Sequence, residues 1–219
     1  MAEKGQAKVL GRDDLDALWT ELEQPHRLIT QLCYFTGSRI GEIVALKAED
    51  IQGDRIVIHQ PKTNRTKTVE IAPKLRTALD AVELPRSGYL FPAATWAKAN
   101  RKAYRINRAV TSPEPRFNSR KKLMVTPQNQ FDVVAELPPS PHIGTHAVNL
   151  AISRATRLLS LPGVSSHSMR RSLATHLHEA GVPLRIIMAI TGHQSLGSLT
   201  HYIALEEKAA GDVLREFFG

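Results

Sequence analysis

The sequence predicts an α+β fold, mostly helical, with one small antiparallel sheet. Apolar residues recur at three- and four-residue steps along most of the 219-residue chain, and only Arg55–Ile71 switches to strict alternation. Glycines and prolines fall between these stretches, where helices end and begin.

Asp13 and Asp14 precede Leu15, Leu18 and Leu22, an N-cap candidate followed by a helical stripe through about Glu23. Pro25 suits a first helical position, and Leu28, Ile29, Leu32, Cys33 and Phe35 form a broad apolar face that stops at Thr36-Gly37. Ser38 is a cap for a third helix carrying Ile40, Ile43, Val44 and Leu46, which places Arg39 and Glu42 together on its first turn. Arg55–His59 and Lys67–Ile71 alternate and are β-branched, so they read as a hairpin with Lys62 at its mouth. Pro73 opens a further helix through Leu75, Leu79 and Val82, closed by Pro85 and Gly88.

From Thr95, Trp96, Ala99, Ala103, Ile106 and Val110 keep helical spacing among Lys98, Arg101, Lys102, Arg105 and Arg108, a basic amphipathic helix. The proline-rich stretch from Thr111 to Thr145 then predicts an irregular excursion, so about 95–145 stands out as a basic, Pro-rich insertion. Helical periodicity returns through Val148, Ile152, Ala155, Leu158 and Leu159. Ser168–Ala180 ends at Gly181, and Pro183 opens Leu184–Ile190, which closes at Gly192-His193. A last amphipathic helix covers about 204–218, and no internal repeat is visible.

Charge narrows the partner. Twenty-nine Lys and Arg against 21 Asp and Glu leave a formal +8, so a polyanion is expected. Cys33, the single cysteine, lies in an apolar run, which excludes a disulfide scaffold and a thiolate zinc site and predicts a reducing, cytoplasmic home. No apolar run approaches bilayer length. His142 and His146 lie beside prolines and Gly144, a poor setting for a metal pair. His176 and His178 point to different helix faces and read as solvated. No metal or other cofactor is expected.

Individually the polar residues have ordinary readings. Arg39 suits a surface pair with Glu42, Lys62 suits a hairpin tip, His193 suits a helix end, and Tyr202 suits a half-buried ring with a wet hydroxyl. His167 and Arg170, one turn apart, are more specific, because an imidazole and a guanidinium so spaced address one oxyanion together. In conjunction, Thr36-Gly37-Ser38-Arg39-Ile40-Gly41-Glu42, Lys62-Thr63 before a strand, His167-Ser168-Met169-Arg170-Arg171-Ser172 and Gly192-His193 followed by Tyr202 resemble the catalytic domain of the tyrosine recombinase (phage integrase) family. The resemblance runs from about Gly11 to Glu206, apart from Thr95–Thr145, and includes Glu179-Ala180-Gly181-Val182-Pro183-Leu184-Arg185.

That resemblance implies a single catalytic domain over 1–219, without the N-terminal core-binding domain usual in the family, acting as a site-specific DNA recombinase or integrase. A phosphodiester is already anionic, so a nucleophile reaches phosphorus only if charge on the equatorial oxygens is neutralised. Arg39 and Arg170 would clamp the non-bridging oxygens, His193 would add a neutral hydrogen bond, and Tyr202 would attack with His167 as acid/base. Lys62 would protonate the departing 5′ oxygen. The product is a 3′-phosphotyrosyl ester, whose formation needs no metal and no ATP. Rivals sharing this machinery are a type IB topoisomerase-like nicking-resealing enzyme and a catalytically silent DNA-binding regulator.

The implied partners are double-stranded recombination sites, bound by a homotetramer on synapsed DNA, with the free protein expected to be a monomer. The implied setting is nucleoid-associated, in a bacterium or borne by a phage or plasmid. Arg65, Lys67, Arg101, Lys102 and Arg105 are expected DNA contacts. Met169 replaces the family's usual leucine, and Arg65 and Lys67 trade the usual order of basic residues.

Overall fold

In the computed structural model the chain separates into two compact units, Met1–Phe91 with Thr145–Gly219, and Pro92–Gly144. The structure describes residues 7–61, 64–93, 116–118, 123–125, 142–193 and 195–200. The first unit contains α1 (Arg12–Glu21), α2 (His26–Thr36), α3 (Ile40–Ile43), a 3₁₀ turn (Ala48–Asp50), β1 (Ile51–Gln52), β2 (Arg55–Gln60), β3 (Arg65–Glu70) and α4 (Pro73–Asp80). The second contains β4 (Arg116–Asn118) and β5 (Leu123–Val125). The first resumes with α5 (Thr145–Leu158), α6 (Ser166–Glu179), α7 (Leu184–Thr191) and α8 (Leu196–Thr200).

Helix α2 is the hub of the first unit. Leu28, Ile29 and Leu32 are wholly buried, and the helix packs against α1, α3, α4, α5 and α6. Each such side chain contributes about 1.5–3 kcal/mol of transfer free energy, so the hub outweighs any single polar contact around it. Leu15 and Leu18 of α1, Leu75 and Leu79 of α4, and Val148 and Ile152 of α5 close the core. The N-terminal segment is stitched on by Lys8 N donating to Gly163 O at 2.9 Å and Arg171 Nη1 donating to Ala7 O at 2.7 Å.

The hairpin forms where alternation predicted it. The strand order is β1-β2-β3, antiparallel throughout, with Ile56 opposite Val69, Ile58 opposite Lys67 and Gln60 opposite Arg65. Ile56 and Ile58 are fully buried, so this face of the sheet lies on the helices.

Several boundaries differ from the sequence reading. Gly11 rather than an aspartate caps α1, and Asp13 and Asp14 lie within its first turn. Ser38 does not cap α3: its hydroxyl lies 2.8 Å from Thr36 Oγ1, and Arg39 occupies the cap position. Strand β1 and helix α8 are too short to show periodicity. Within Thr111–Thr145, expected to be irregular, β4 and β5 pair antiparallel with Phe117 opposite Met124, and Pro92 bridges His142. His176 is not a solvated surface group, since its Nδ1 lies 2.8 Å from Tyr34 Oη and joins α6 to α2. The basic helix expected from Thr95 and the C-terminal helix expected over 204–218 lie outside the described residues.

Candidate active site

The C-terminal ends of two helices, the first turns of a third and one strand build the site. Helix α2 ends at Gly37, whose φ of 61° is left-handed, and the chain turns directly into Ser38 and Arg39. Arg39 sits in extended backbone with its N–H on Glu42 Oε2 at 3.0 Å and its Nη1 on Glu42 Oε1 at 2.9 Å. Glu42 is buried, so the carboxylate takes two donors from one residue and fixes both its main chain and its guanidinium. The Arg39 side chain keeps 30% of its surface exposed, leaving its remaining donors room to meet an anion.

Arg170 approaches from α6. Ser165 caps this helix: its Oγ accepts from His167 N at 3.3 Å, while Ser168 Oγ accepts from Ser165 N at 3.1 Å. His167 lies exposed on the first turn, and Arg170, one turn on, is 1% exposed with Nη1 donating to Gly37 O at 3.0 Å. The two arginines are thus tied to the same turn, one by its own backbone and one through the Gly37 carbonyl.

His193 arrives from the opposite helix end. Gly192, at φ 72°, accepts the left-handed turn that ends α7, and the N–H groups of Gly192 and His193 both bond Met188 O, at 2.7 and 3.1 Å. Thr191 Oγ1 lies 2.7 Å from Ile187 O and 2.7 Å from His193 Nδ1. Burial, then the nearby charges of Arg170, Arg39 and Lys67, push the His193 imidazole down to about 3, so the ring is neutral at any working pH. One hydroxyl proton therefore decides the tautomer. Donated to Ile187 O, it leaves Thr191 accepting from Nδ1–H; turned to Nδ1, it leaves the ring proton on Nε2, able to donate to an oxyanion.

The two turns touch. A Cβ on Gly37 would lie 3.1 Å from Thr191 Cγ2, and one on Gly192 would lie 2.7 Å from Gln60 Nε2 at the end of β2. Beside Gly192, a cleft of about 430 Å³ is lined by Gln60, Arg65, Met188, Ala189 and His193.

Lys67 departs from the sequence reading. Expected as a DNA contact, it faces inward opposite Ile58, and its Nζ donates to Thr36 O at 2.7 Å and Ile190 O at 2.9 Å. Burial first, then Arg170, lowers its ammonium to about 8, with Glu42 opposing and Arg39 reinforcing the shift. The alternation within β3 carried the signal, because Lys67 shares a face with Val69. Thr191, Gln60 and the second role of Glu42 were not picked out from the sequence.

The structure thus gathers Arg39, Arg170, His193 and Lys67 into one electrostatic neighbourhood, balanced by Glu42. His167 stands one turn before Arg170, and Arg65 lines the adjoining cleft as an exposed residue. Lys62, Tyr202, Arg101, Lys102 and Arg105 lie outside the described residues. Among the described residues, no group of three or more His, Cys, Asp or Glu has the arrangement of a metal site, and no helix is long and apolar enough to cross a membrane.

The chain is similar to known proteins over most of its length. The chain is 29% identical over 177 residues to the tyrosine recombinase XerC of Mycobacterium tuberculosis, covering 80% of this chain and 48% of the relative. Its fold is similar to that of the XerH site-specific recombinase solved bound to difH substrate, with TM-score 0.54, 15% identity, and coverage of 100% of this chain and 56% of that one. It is also similar to lambda integrase solved as a tetramer bound to a Holliday junction, with TM-score 0.53, 15% identity, and coverage of 93% and 50%. The chain spans about half the length of the curated relatives it matches. A model of the phage integrase family matches residues 8–209, a span that holds the Arg39 turn, Arg170 and the Gly192-His193 turn together. By that match, and by the helical fold with its three-stranded sheet, the chain belongs to the phage integrase family.

Proposed function

We propose that this chain catalyses site-specific DNA strand exchange, cleaving and rejoining a phosphodiester through a 3′-phosphotyrosyl intermediate on Tyr202. The observation that carries the reading is the convergence of Arg39 and Arg170 on the Gly37 turn, with a neutral His193 beside them. Fixed guanidinium donors match the spread charge of a phosphoryl transition state and need no reorganisation as it forms. The low proton affinity of His193 fits the same purpose, because a neutral ring survives between cations and, in the tautomer with its proton on Nε2, donates to an oxyanion.

In the proposed step the Tyr202 oxygen attacks phosphorus and passes its proton to His167. The bond to the 5′ oxygen breaks, and Lys62 supplies the proton that makes it a hydroxyl. One ester replaces another of similar energy, so attack by a 5′ hydroxyl from a second strand reverses the chemistry and completes exchange. The partner is duplex DNA, a polyanion of the kind the net positive charge favours, and the DNA complex of XerH supports that reading. Assembly as a tetramer on synapsed DNA follows the lambda integrase complex. Arg65 in the cleft, with Arg101, Lys102 and Arg105, supplies phosphate contacts.

The test is covalent capture. A pool of random-sequence duplexes, each nicked close to the expected cleavage position so that the released fragment diffuses away, is incubated with the protein and resolved in denaturant. Wild type forms a detergent-stable adduct and Tyr202→Phe forms none while retaining duplex affinity within about twofold, since one hydroxyl is a small part of a phosphate-dominated interface. An equal adduct yield from Tyr202→Phe refutes the assignment, and no adduct from wild type in any sequence refutes the activity.

A further inference from the structure

The feature that catalysis leaves unexplained is a lysine on the core-facing side of a strand. Ile58, directly opposite Lys67, is fully buried, and a methionine or leucine would fill position 67 without bringing a charge toward Arg39 and Arg170. Two carbonyls take the charge instead. Thr36 is the last residue of α2 and Ile190 the penultimate residue of α7, so both oxygens belong to final helical turns, whose carbonyls lack helical partners and carry the negative end of the dipole. Each helix then leaves through a left-handed glycine into a site residue: Gly37 leads to Arg39, and Gly192 leads to His193.

We infer that Lys67 is a positioning residue, its ammonium spanning the carbonyl ends of α2 and α7 and so setting the separation between the turn that carries Arg39 and the turn that carries His193. The inference rests on the strand-exchange reading for its functional meaning. Its geometry stands apart from that reading. The Gly37 turn and Thr191 are already in van der Waals contact, so no backbone hydrogen bond between the turns is needed for them to move together, but contact alone leaves them free to slide. Two charge-assisted bonds at 2.7 and 2.9 Å from one atom remove that freedom. Gly37 O also receives Arg170, so sliding of this turn displaces both arginines at once. Lys67 touches no substrate in this account and acts only through the turns it holds.

A lysine kept for stability and one kept for position have opposite signatures. Removing a partly buried cation from beside two arginines relieves repulsion, whereas loosening a preorganised site by a fraction of an ångström costs rate. The experiment uses duplexes captured by the wild-type chain and compares Lys67→Met and Lys67→Arg in melting temperature, duplex affinity and rate of adduct formation at saturating DNA. Lys67→Met is expected to melt no lower than wild type, bind within about twofold and form adduct about tenfold or more slowly, with Lys67→Arg restoring part of the rate. A saturating rate for Lys67→Met within twofold of wild type overturns the inference. So does a loss confined to affinity, which makes Lys67 a DNA contact.

Should Lys67→Met not fold, Lys67→Gln, which keeps one donor, serves the same comparison. One measurement needs neither variants nor DNA. In ¹⁵N spectra of the wild-type chain, the Lys67 ammonium is expected to exchange with water far more slowly than that of exposed Lys74, and equal exchange overturns the inference even if no DNA is ever captured. Absence of adduct with a protected ammonium instead sinks the strand-exchange reading and leaves the strut in place.

Discussion

At His193 the protein has made a basic side chain nearly unprotonatable. Its folded-state value near 3 lies below the ordinary 6.5, so between these pH values the unfolded chain binds the extra proton and the folded one does not. This residue's contribution to stability is therefore complete above about 6.5 and is lost as pH falls toward 3. Above that window the ring should show no titration. NMR of ring-labelled protein should find the His193 carbon shifts constant from pH 8 down to about 5, then moving upward in protonation only as the protein approaches acid unfolding, and a midpoint near 6.5 would refute the neutral-ring assignment. Inorganic phosphate should raise that midpoint, because an anion between Arg39 and Arg170 offsets the charges that hold it down.

At this scale the sequence was partly legible. The His167–Arg170 spacing and the Gly192-His193 helix end were legible as local helix geometry, whereas the grouping of these residues with Arg39 came from the family resemblance alone. The inward turn of Lys67 was not seen, although the alternation of β3 contained it: a lysine next to a hairpin tip suggests a surface, and only knowing which face packs on α2 and α7 reverses that. Thr191 escaped because a threonine ending a helix ordinarily bonds only its own carbonyl at i−4, as it also does here.

Among elements, the two glycine turns are unequal although their φ values are alike, at 61° for Gly37 and 72° for Gly192. An alanine at either costs about 1–2 kcal/mol for left-handed backbone. At Gly192 the new methyl meets the end of the buried Gln60 amide on the central strand β2, the far end of a side chain with rotatable bonds that can shift. At Gly37 it meets Leu173 and both the side chain and Cα of Thr191, part of a packed helix end that cannot. Urea unfolding should therefore show Gly37→Ala destabilised more than Gly192→Ala, by about 1 kcal/mol or more from overpacking, and the reverse order would mean that the turns do not abut as described. Helices α2, α6 and α7 were legible because ten or so residues suffice to show a 3.6-residue stripe between a proline or serine start and a glycine stop, and α5 was legible by its stripe and the Pro162-Gly163 break beyond it. Strand β1, the β4–β5 pair and helix α8 have two to five residues each, less than two periods of any pattern, and their existence depends on what they pair or pack with. The cap of α3 failed for a related reason: Ser38 is a good cap in isolation, but Thr36 Oγ1 claims its hydroxyl and Glu42 caps from the other direction.

For the molecule as a whole, the formal charge of +8 is divided between two kinds of site that salt tells apart. Arg39 and Arg170 are held by Glu42 and by a main-chain carbonyl, so in the proposed reaction they act over ångströms on one phosphate, and with the carbonyl-bound Lys67 they contribute little to a long-range field. Arg101, Lys102 and Arg105, on the periodic basic stretch of the second unit, belong to no such set in the sequence. If these three bind phosphates, each neutralised phosphate releases condensed counterions, and the logarithm of the binding constant falls with the logarithm of salt by about 0.9 per phosphate. Replacing all three by alanine should flatten that slope by about one unit for every phosphate left without its cation, while the rate of adduct formation at saturating DNA stays within about twofold. Arg39→Ala should do the opposite, leaving the slope nearly unchanged and lowering the saturating rate by about a hundredfold, the usual consequence of removing one preorganised donor. An unchanged slope in the triple variant assigns the basic stretch to solvent, and a lowered saturating rate assigns it to the site, so the two measurements together locate the surplus charge by what it does.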